Sequence, residues 1–195
     1  FLGGETLFGT GSLTIQSATL NPFNVTIDLS DAGRFLTLGG SGSYVLGGLG
    51  VVNGLAPPGE IDGGAITAEG VSLRIFNFRF VSNEAKSLGG ALSFYSSFPG
   101  AGLVIHNGAF LSNSVSGSGS ISSIGGAARV SVTNGADADF RDVTFQGNSA
   151  AESANDVAGG ALSLHASGTG SVARCVRCTF QNNSAISTAL SSLSS

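Results

Sequence analysis

The chain contains no Met and no Trp, only two Cys, four Pro and two Tyr, and charged residues make up 10% of its 195 positions. Each scarcity excludes something. With so few charges the surface has to be built from Ser, Thr, Asn, Gln and Gly, an uncommon make-up for a cytosolic enzyme. Eight Lys and Arg against twelve Asp and Glu give a net charge of −4 with no basic cluster, which argues against a nucleic acid partner held through its phosphates. No apolar run approaches the roughly 20 residues of a spanning helix, so no membrane span is expected in this chain. The N-terminus also lacks the charged, apolar and small-residue order of a signal peptide. Because the chain opens on Phe1 rather than Met, it is read as a mature product or a fragment.

What the sequence has in abundance is Gly, 31 residues of it, and repetition. The stretches "TFQGNSA" (Thr144 to Ala150) and "TFQNNSA" (Thr179 to Ala185) are near copies. Their Phe-x-x-Asn core recurs as Phe80/Asn83, Phe110/Asn113, Phe145/Asn148 and Phe180/Asn183, with separations of 30, 35 and 35. A Gly-Gly-Ala motif interleaves with it, starting at Gly63, Gly89, Gly125 and Gly159. Fixed motifs separated by variable lengths at this period mark a solenoid, one coil per repeat, with insertions in loops. Within a repeat, short alternating runs such as "ALSFY", "LVIHN" and "AFLSN" read as strands with one buried and one wet face.

The expected fold is therefore all-β: a single-stranded parallel β-helix of about three short strands per coil and five to six coils. The rule for parallel crossovers makes it right-handed. One domain is expected over 1–195, with irregular N-terminal coils over 1–62, the repeats over 63–185, and an incomplete further coil over 186–195. Strands before the repeats are expected at Ser12 to Ile15, Asn24 to Leu29, Phe35 to Leu38 and Leu49 to Gly54. The loops leaving each Asn are expected to form one irregular ridge.

Stacked coils bring equivalent residues to about 4.8 Å. Phe80, Phe110, Phe145 and Phe180 then form an interior aromatic stack, and Asn83, Asn113, Asn148 and Asn183 a carboxamide ladder at a corner, with Asn53 as its early member. The Gly-Gly pair supplies a conformation or a close approach that a side chain forbids. These interleaved GGAI/GGAL and FxxN motifs, over roughly Asn53 to Ala185, resemble the repeats of the chlamydial polymorphic outer membrane proteins. That resemblance implies a right-handed parallel β-helix exposed on a cell surface, with adhesive or structural work.

Chemistry has few candidates. A hydrolase needs paired carboxylates, and Asp137, Asp139 and Asp142 are the one cluster; with Arg141 they are also the one candidate set for a calcium-dependent lyase. Asp139 and Arg174, and Asp142 and Arg177, lie 35 apart, which predicts cross-coil ion pairs rather than catalysis. His106 and His165 fall on different faces without a Cys or Asp at ligand spacing and read as exposed strand residues. Cys175 and Cys178 occupy columns filled elsewhere by Ile, Phe, Gly or Val; they read as small buried hydrophobes, with a local disulfide as the alternative. Ice binding would need a long regular Thr array, whereas Arg79 and Ala109 replace Thr144 and Thr179 in the earlier coils. Phe76, Val81, Val104 and Leu111 form either a protein-contact patch or ordinary apolar exposure.

Two sequons, Asn24-Val25-Thr26 and Asn182-Asn183-Ser184, are candidate N-glycosylation sites, Asn24 being the less constrained. No cofactor and no metal site is expected. The function that follows is a non-enzymatic, extracellular or cell-surface β-helix with structural or adhesive work. Its expected partners are other copies, stacked end to end, and a glycan or cell-surface molecule. The alternative is a polysaccharide-binding or polysaccharide-cleaving β-helix.

Overall fold

The computed structural model describes residues 5–117, 122–152 and 157–187. Over these the chain is all-β and winds into a solenoid of six coils, without a helix among the described residues. Coil one carries β1 (Glu5–Gly9), β2 (Ser12–Gln16) and β3 (Thr26–Asp28); coil two carries β4 (Leu36–Gly40), β5 (Ser43–Gly47) and β6 (Gly50–Val52). Coil three has β7 (Ile66–Glu69), β8 (Ser72–Val81) and β9 (Glu84–Ala85). Coil four has β10 (Leu92–Ser96), β11 (Gly102–Leu111), β12 (Ser114–Ser116) and β13 (Ser123–Ile124). Coil five has β14 (Ala128–Thr133), β15 (Asp137–Gln146), β16 (Ser149–Glu152) and β17 (Val157–Ala158). Coil six closes with β18 (Leu162–Ser167), β19 (Val172–Val176), β20 (Thr179–Gln181) and β21 (Ser184–Ser187).

Every ladder is parallel and joins equivalent strands of successive coils. The first sheet runs β1-β4-β7-β10-β14-β18, and a second, bent sheet runs from β2 through β5, β8, β11 and β15 to β19, with β3, β6 and β20 alongside. The bend has a local cause. The ten-residue strands β8, β11 and β15 each contain one residue with positive φ, namely Asn77 (49°), Asn107 (57°) and Asp142 (54°), and one left-handed residue turns the chain through a corner. Asn and Asp tolerate that conformation because their short polar side chains bond locally.

Two expectations change here. The loops that leave the Asn corner are more regular than expected where they are described: β9, β12, β16 and β21 form a further four-stranded parallel ladder, and β13 pairs with β17. The first coils are also more regular than their sequence suggests, because β1 and β5 were hidden by Gly-rich composition yet pair in full register with β4 and β8. The "TALSSLSS" segment, Thr188 to Ser195, expected as a further coil, lies outside the described residues.

The core is one continuous column inside the coils, with Ile66, Leu92, Phe94, Ile105, Phe110, Val130, Phe140 and Phe145 all buried. The Gly-Gly-Ala motif explains its narrow end. Gly89 has φ 58°, a region that a side chain enters at a cost. At Gly90 a Cβ would run into the carbonyl oxygens of Gly126 and Ser114. The second glycine is thus the point where the coil pinches against the strand that follows the Asn, separating the main core from a small cluster of Ala56, Ala85 and Val115.

Gly90→Ala is expected to destabilise the fold by about 3 kcal/mol or more, since the obstacle is backbone. Gly100→Ala, where φ is 82° but an added methyl meets nothing within 4 Å, should lose only about 1–2 kcal/mol. Urea denaturation midpoints of the two variants give the comparison; equal losses would mean that close approach is not what the second glycine provides.

Candidate functional site: the Asn corner and the arginine-rich face

The Asn corner holds the coils in register. Asn83 donates through its backbone N–H and through Nδ2 to Asn113 Oδ1, at 3.0 and 2.9 Å. Asn113 does the same to Asn148 Oδ1, both at 3.0 Å, and Asn148 to Asn183 Oδ1, both at 2.9 Å. The second Nδ2 hydrogen reaches the opposite way, to the carbonyl of Phe80 from Asn113, of Phe110 from Asn148 and of Phe145 from Asn183. The Asn113 and Asn148 carboxamides therefore each tie three coils and use both donors and both lone pairs. That accounting matters because Asn83, Asn113 and Asn148 are fully buried, where an unpaired polar group is costly.

Asn53 is not the early rung. Val51 stands opposite Phe80 and Val52 opposite Val81, so the residue opposite Asn83 is Gly54, whose N–H donates to Asn83 Oδ1 at 2.9 Å. A side chain at Gly54 would strike the Gly64 carbonyl, which excludes Asn there. Asn53 instead begins a column of left-handed residues continued by Ser82, Ser112, Gly147 and Asn182. Its Nδ2 donates to Asp28 Oδ1 at 3.0 Å. The Ser30 backbone N–H first, and this amide second, hold Asp28 below its usual carboxylate range.

The Phe column is a stack in part. Phe110, Phe145 and Phe180 lie parallel, with centroids 5.1 and 4.9 Å apart. Phe80 stands edge-on to Phe110, at 79°. The cause is Phe78, which fills the space that Gly108 leaves in the next coil and lies 5.0 Å from both Phe80 and Phe110. A Phe over a Gly conserves volume while breaking the simple stack.

On the outer face, Asp139 and Arg174 come together across coils, with Nη2 2.9 Å from Oδ2. Arg141, two residues on and on the same face, adds donors from Nε and Nη2 at 2.9 and 2.5 Å. The Arg141 hydrogen bonds, reinforced by Arg174 and opposed by burial, lower the Asp139 pKa to about 2. Its other oxygen, Oδ1, is buried without a hydrogen-bond partner. Asp142 meets Arg177 in a two-point contact, 2.6 Å on each side, and the Arg177 hydrogen bond lowers its pKa. Asp137 accepts from the Val172 N–H at 3.0 Å. Among the described residues no three His, Cys, Asp or Glu side chains gather as a metal site.

His165 is exposed on β18. His106 is half-buried instead of exposed, stacked on Phe76 at 5.5 Å with its Nε2 3.3 Å from Arg74 Nη2. Burial first, then the positive charge of Arg74, lowers its pKa, so its ring is neutral near pH 7. Phe76 is accordingly half-buried, covered by His106 and the Arg74 guanidinium, while Val104 beside it is exposed.

Cys175 and Cys178 are joined by a disulfide with Cα atoms 5.9 Å apart. The bond spans the left-handed corner residue Arg177 and packs against the core. The alternative reading, a local disulfide, is the one observed; the cysteines are half-buried, not buried, at places that Ile75 and Phe78 in coil three and Phe140 and Val143 in coil five fill as buried residues. Of the sequon residues, Asn24 is exposed and donates to Thr19 Oγ1 at 3.1 Å. Asn182 is also exposed but carries φ 52° in the corner column.

Sequence reasoning missed Arg34. It stands opposite Gly64, where later coils have the second glycine, and is fully buried. Its Nε donates to the Gly63 carbonyl at 2.7 Å and its Nη1 to Thr37 Oγ1 and Glu60 Oε2, while Nη2 meets the Asp62 carbonyl. The guanidinium pins the 54–63 segment to the first sheet. The signal was present as "GRF" where "GGA" is expected. Comparison with family models, curated proteins and solved structures finds no match to this chain.

Replacing Asn113 by Ala should cost about 2–5 kcal/mol, because it strips partners from several buried groups. Gln146→Ala, on the exposed side of β15, should stay within about 0.5 kcal/mol. Urea unfolding measures both, and similar losses would remove the ladder's role.

The depressed Asp139 pKa gives stability that is fully present above its ordinary value of 3.8 and is lost as pH falls through about 2. Wild type should therefore exceed Asp139→Asn in denaturation midpoint at pH 6, with the gap closing between pH 4 and pH 2. A gap independent of pH would show that the carboxylate charge is not what matters.

Proposed function

We propose that this chain is a non-enzymatic, extracellular or cell-surface β-solenoid with structural or adhesive work, whose copies stack end to end. The observation that carries the reading is the state of its carboxylates. A glycoside hydrolase needs one carboxyl group raised in pKa so that it holds a proton to give. Asp139 and Asp142 are both lowered and bound to arginines of their own or the next coil, which suits coil-to-coil fastening and not proton transfer.

Three features support the surface assignment. The Cys175–Cys178 disulfide suits an oxidising compartment, the Asn24 sequon lies on an exposed segment, and the repeats resemble those of polymorphic outer membrane proteins. Stacking is supported by the ladders, which pair equivalent strands of successive coils in parallel register, a pairing that a coil of another copy can continue. Within the described residues no helix is long and apolar enough to cross a membrane.

On this reading, antibodies to the folded protein label intact source cells. Incubation with a panel of polysaccharides and calcium releases no new reducing ends and no unsaturated products. Cleavage that disappears in Asp139→Ala or Asp142→Ala would overturn the non-enzymatic part. Electron microscopy that shows dispersed single solenoids at high protein concentration would overturn end-to-end stacking.

A further inference from the structure

A groove of about 530 Å³ runs along the outer face where the second sheet turns its corner. Its floor crosses three coils, from Asn77 and Arg79 through Asn107 and Ala109 to Thr144, and the segment ending in Phe23, projected from coil one, forms its wall. The size falls in the range of small-molecule sites. Its lining holds an uncommitted cation. Arg34, Arg141, Arg174 and Arg177 each pair with a carboxylate, whereas Arg79, like Arg74 and Arg129, makes no ion pair among the described residues, and of these three it is the one that lines the groove, half-buried. Its guanidinium instead sits 5.4 Å over the Phe23 ring. A stacked guanidinium keeps its in-plane N–H fork free for a carboxylate. Asp142 also lines the groove, but Arg177 neutralises it.

Beside this cation lies a matched donor and acceptor. Asn107 Nδ2 donates to Asn77 Oδ1 at 2.5 Å, which leaves the Asn77 amide hydrogens and the Asn107 carbonyl oxygen for a ligand. Neighbouring hydroxyls, each both donor and acceptor, complement that pair, and Thr144 extends the polar row. Phe23 and Ala109 offer apolar surface for a sugar ring's C–H face. An added peptide strand is disfavoured: the floor is a sheet face whose backbone groups already bond between coils, so no edge is available.

We propose that this groove binds a carboxylated oligosaccharide, its carboxylate on Arg79, its hydroxyls on Asn77, Asn107 and Thr144, and one ring face on Phe23. The inference rests on the adhesive reading and names its ligand class. Its test does not depend on location: a protein found on the cell surface that binds no such sugar keeps that reading and loses this one.

The experiment is calorimetry of the purified protein against a panel of uronate and sialate oligosaccharides, each paired with its carboxyl-reduced counterpart. At least one acidic member should bind, at least tenfold more tightly than its reduced form, and more weakly as salt rises. Arg79→Gln should lose at least tenfold and with it the preference for the carboxylate, Arg79→Lys should fall between, and Asn107→Ala should lose several-fold. Arg74→Gln, outside the groove, should bind as wild type, and circular dichroism shows whether each variant keeps its fold. Three results would overturn the proposal: no acidic sugar bound at millimolar concentration, a folded Arg79→Gln that binds like wild type, or polyglutamate bound as tightly as the best glycan.

Discussion

The carboxamide ladder at the narrow corner of each coil is the constraint on which the other features depend. A parallel solenoid satisfies its strand backbone by stacking, but its corners leave donors and acceptors in the interior. Asn83, Asn113, Asn148 and Asn183 meet that need with one side chain per coil, the first three bonded to the coil before and the coil after and Asn183 to the coil before. Because a slip of one residue would empty every rung, the ladder fixes the register of the whole stack. The Phe three residues earlier is then held in one column, and the second glycine of each coil is held against the strand that follows the Asn.

Where the rung is fixed, the rest can vary by compensation. Coil three places the large Phe78 where coil four has Gly108, and the pair shares one volume. Coil two has Arg34 where later coils have glycine, and its buried guanidinium bonds to two backbone carbonyls, Thr37 and Glu60. Coil six replaces an apolar contact across the corner with a disulfide. These are different chemical answers to one packing problem at equivalent places.

The outer face is freer, and it is where function has room. Some of its charges hold neighbouring coils together, as Asp139 does with Arg174 and Asp142 with Arg177. Arg79 and Arg74 each lie over an aromatic ring and not against a carboxylate, and of the two Arg79 is the one that lines the groove. The corner asparagines beside it are there for a backbone reason, a left-handed turn, yet they leave polar groups on the surface. A structural requirement thus supplies the lining of a groove.

The repeat period, the inward Phe and Asn columns, the pairing of Asp139 with Arg174 and of Asp142 with Arg177, and the all-β solenoid were determined by the sequence alone. They were legible because equal spacing between copies becomes adjacency once coils stack. Tertiary structure decided what depends on unequal spacing. Asn53 differs from Gly54 by a single register step, β5 is hidden among glycines, and the four-stranded ladder of β9, β12, β16 and β21 forms between loops of unlike length. The burial of Arg34 and the contact of Phe23 with Arg79 join segments whose distance along the chain carries no repeat. Local pattern reports what a residue's neighbours in its own strand require; which side chain fills a gap left in another coil is settled only when the coils pack.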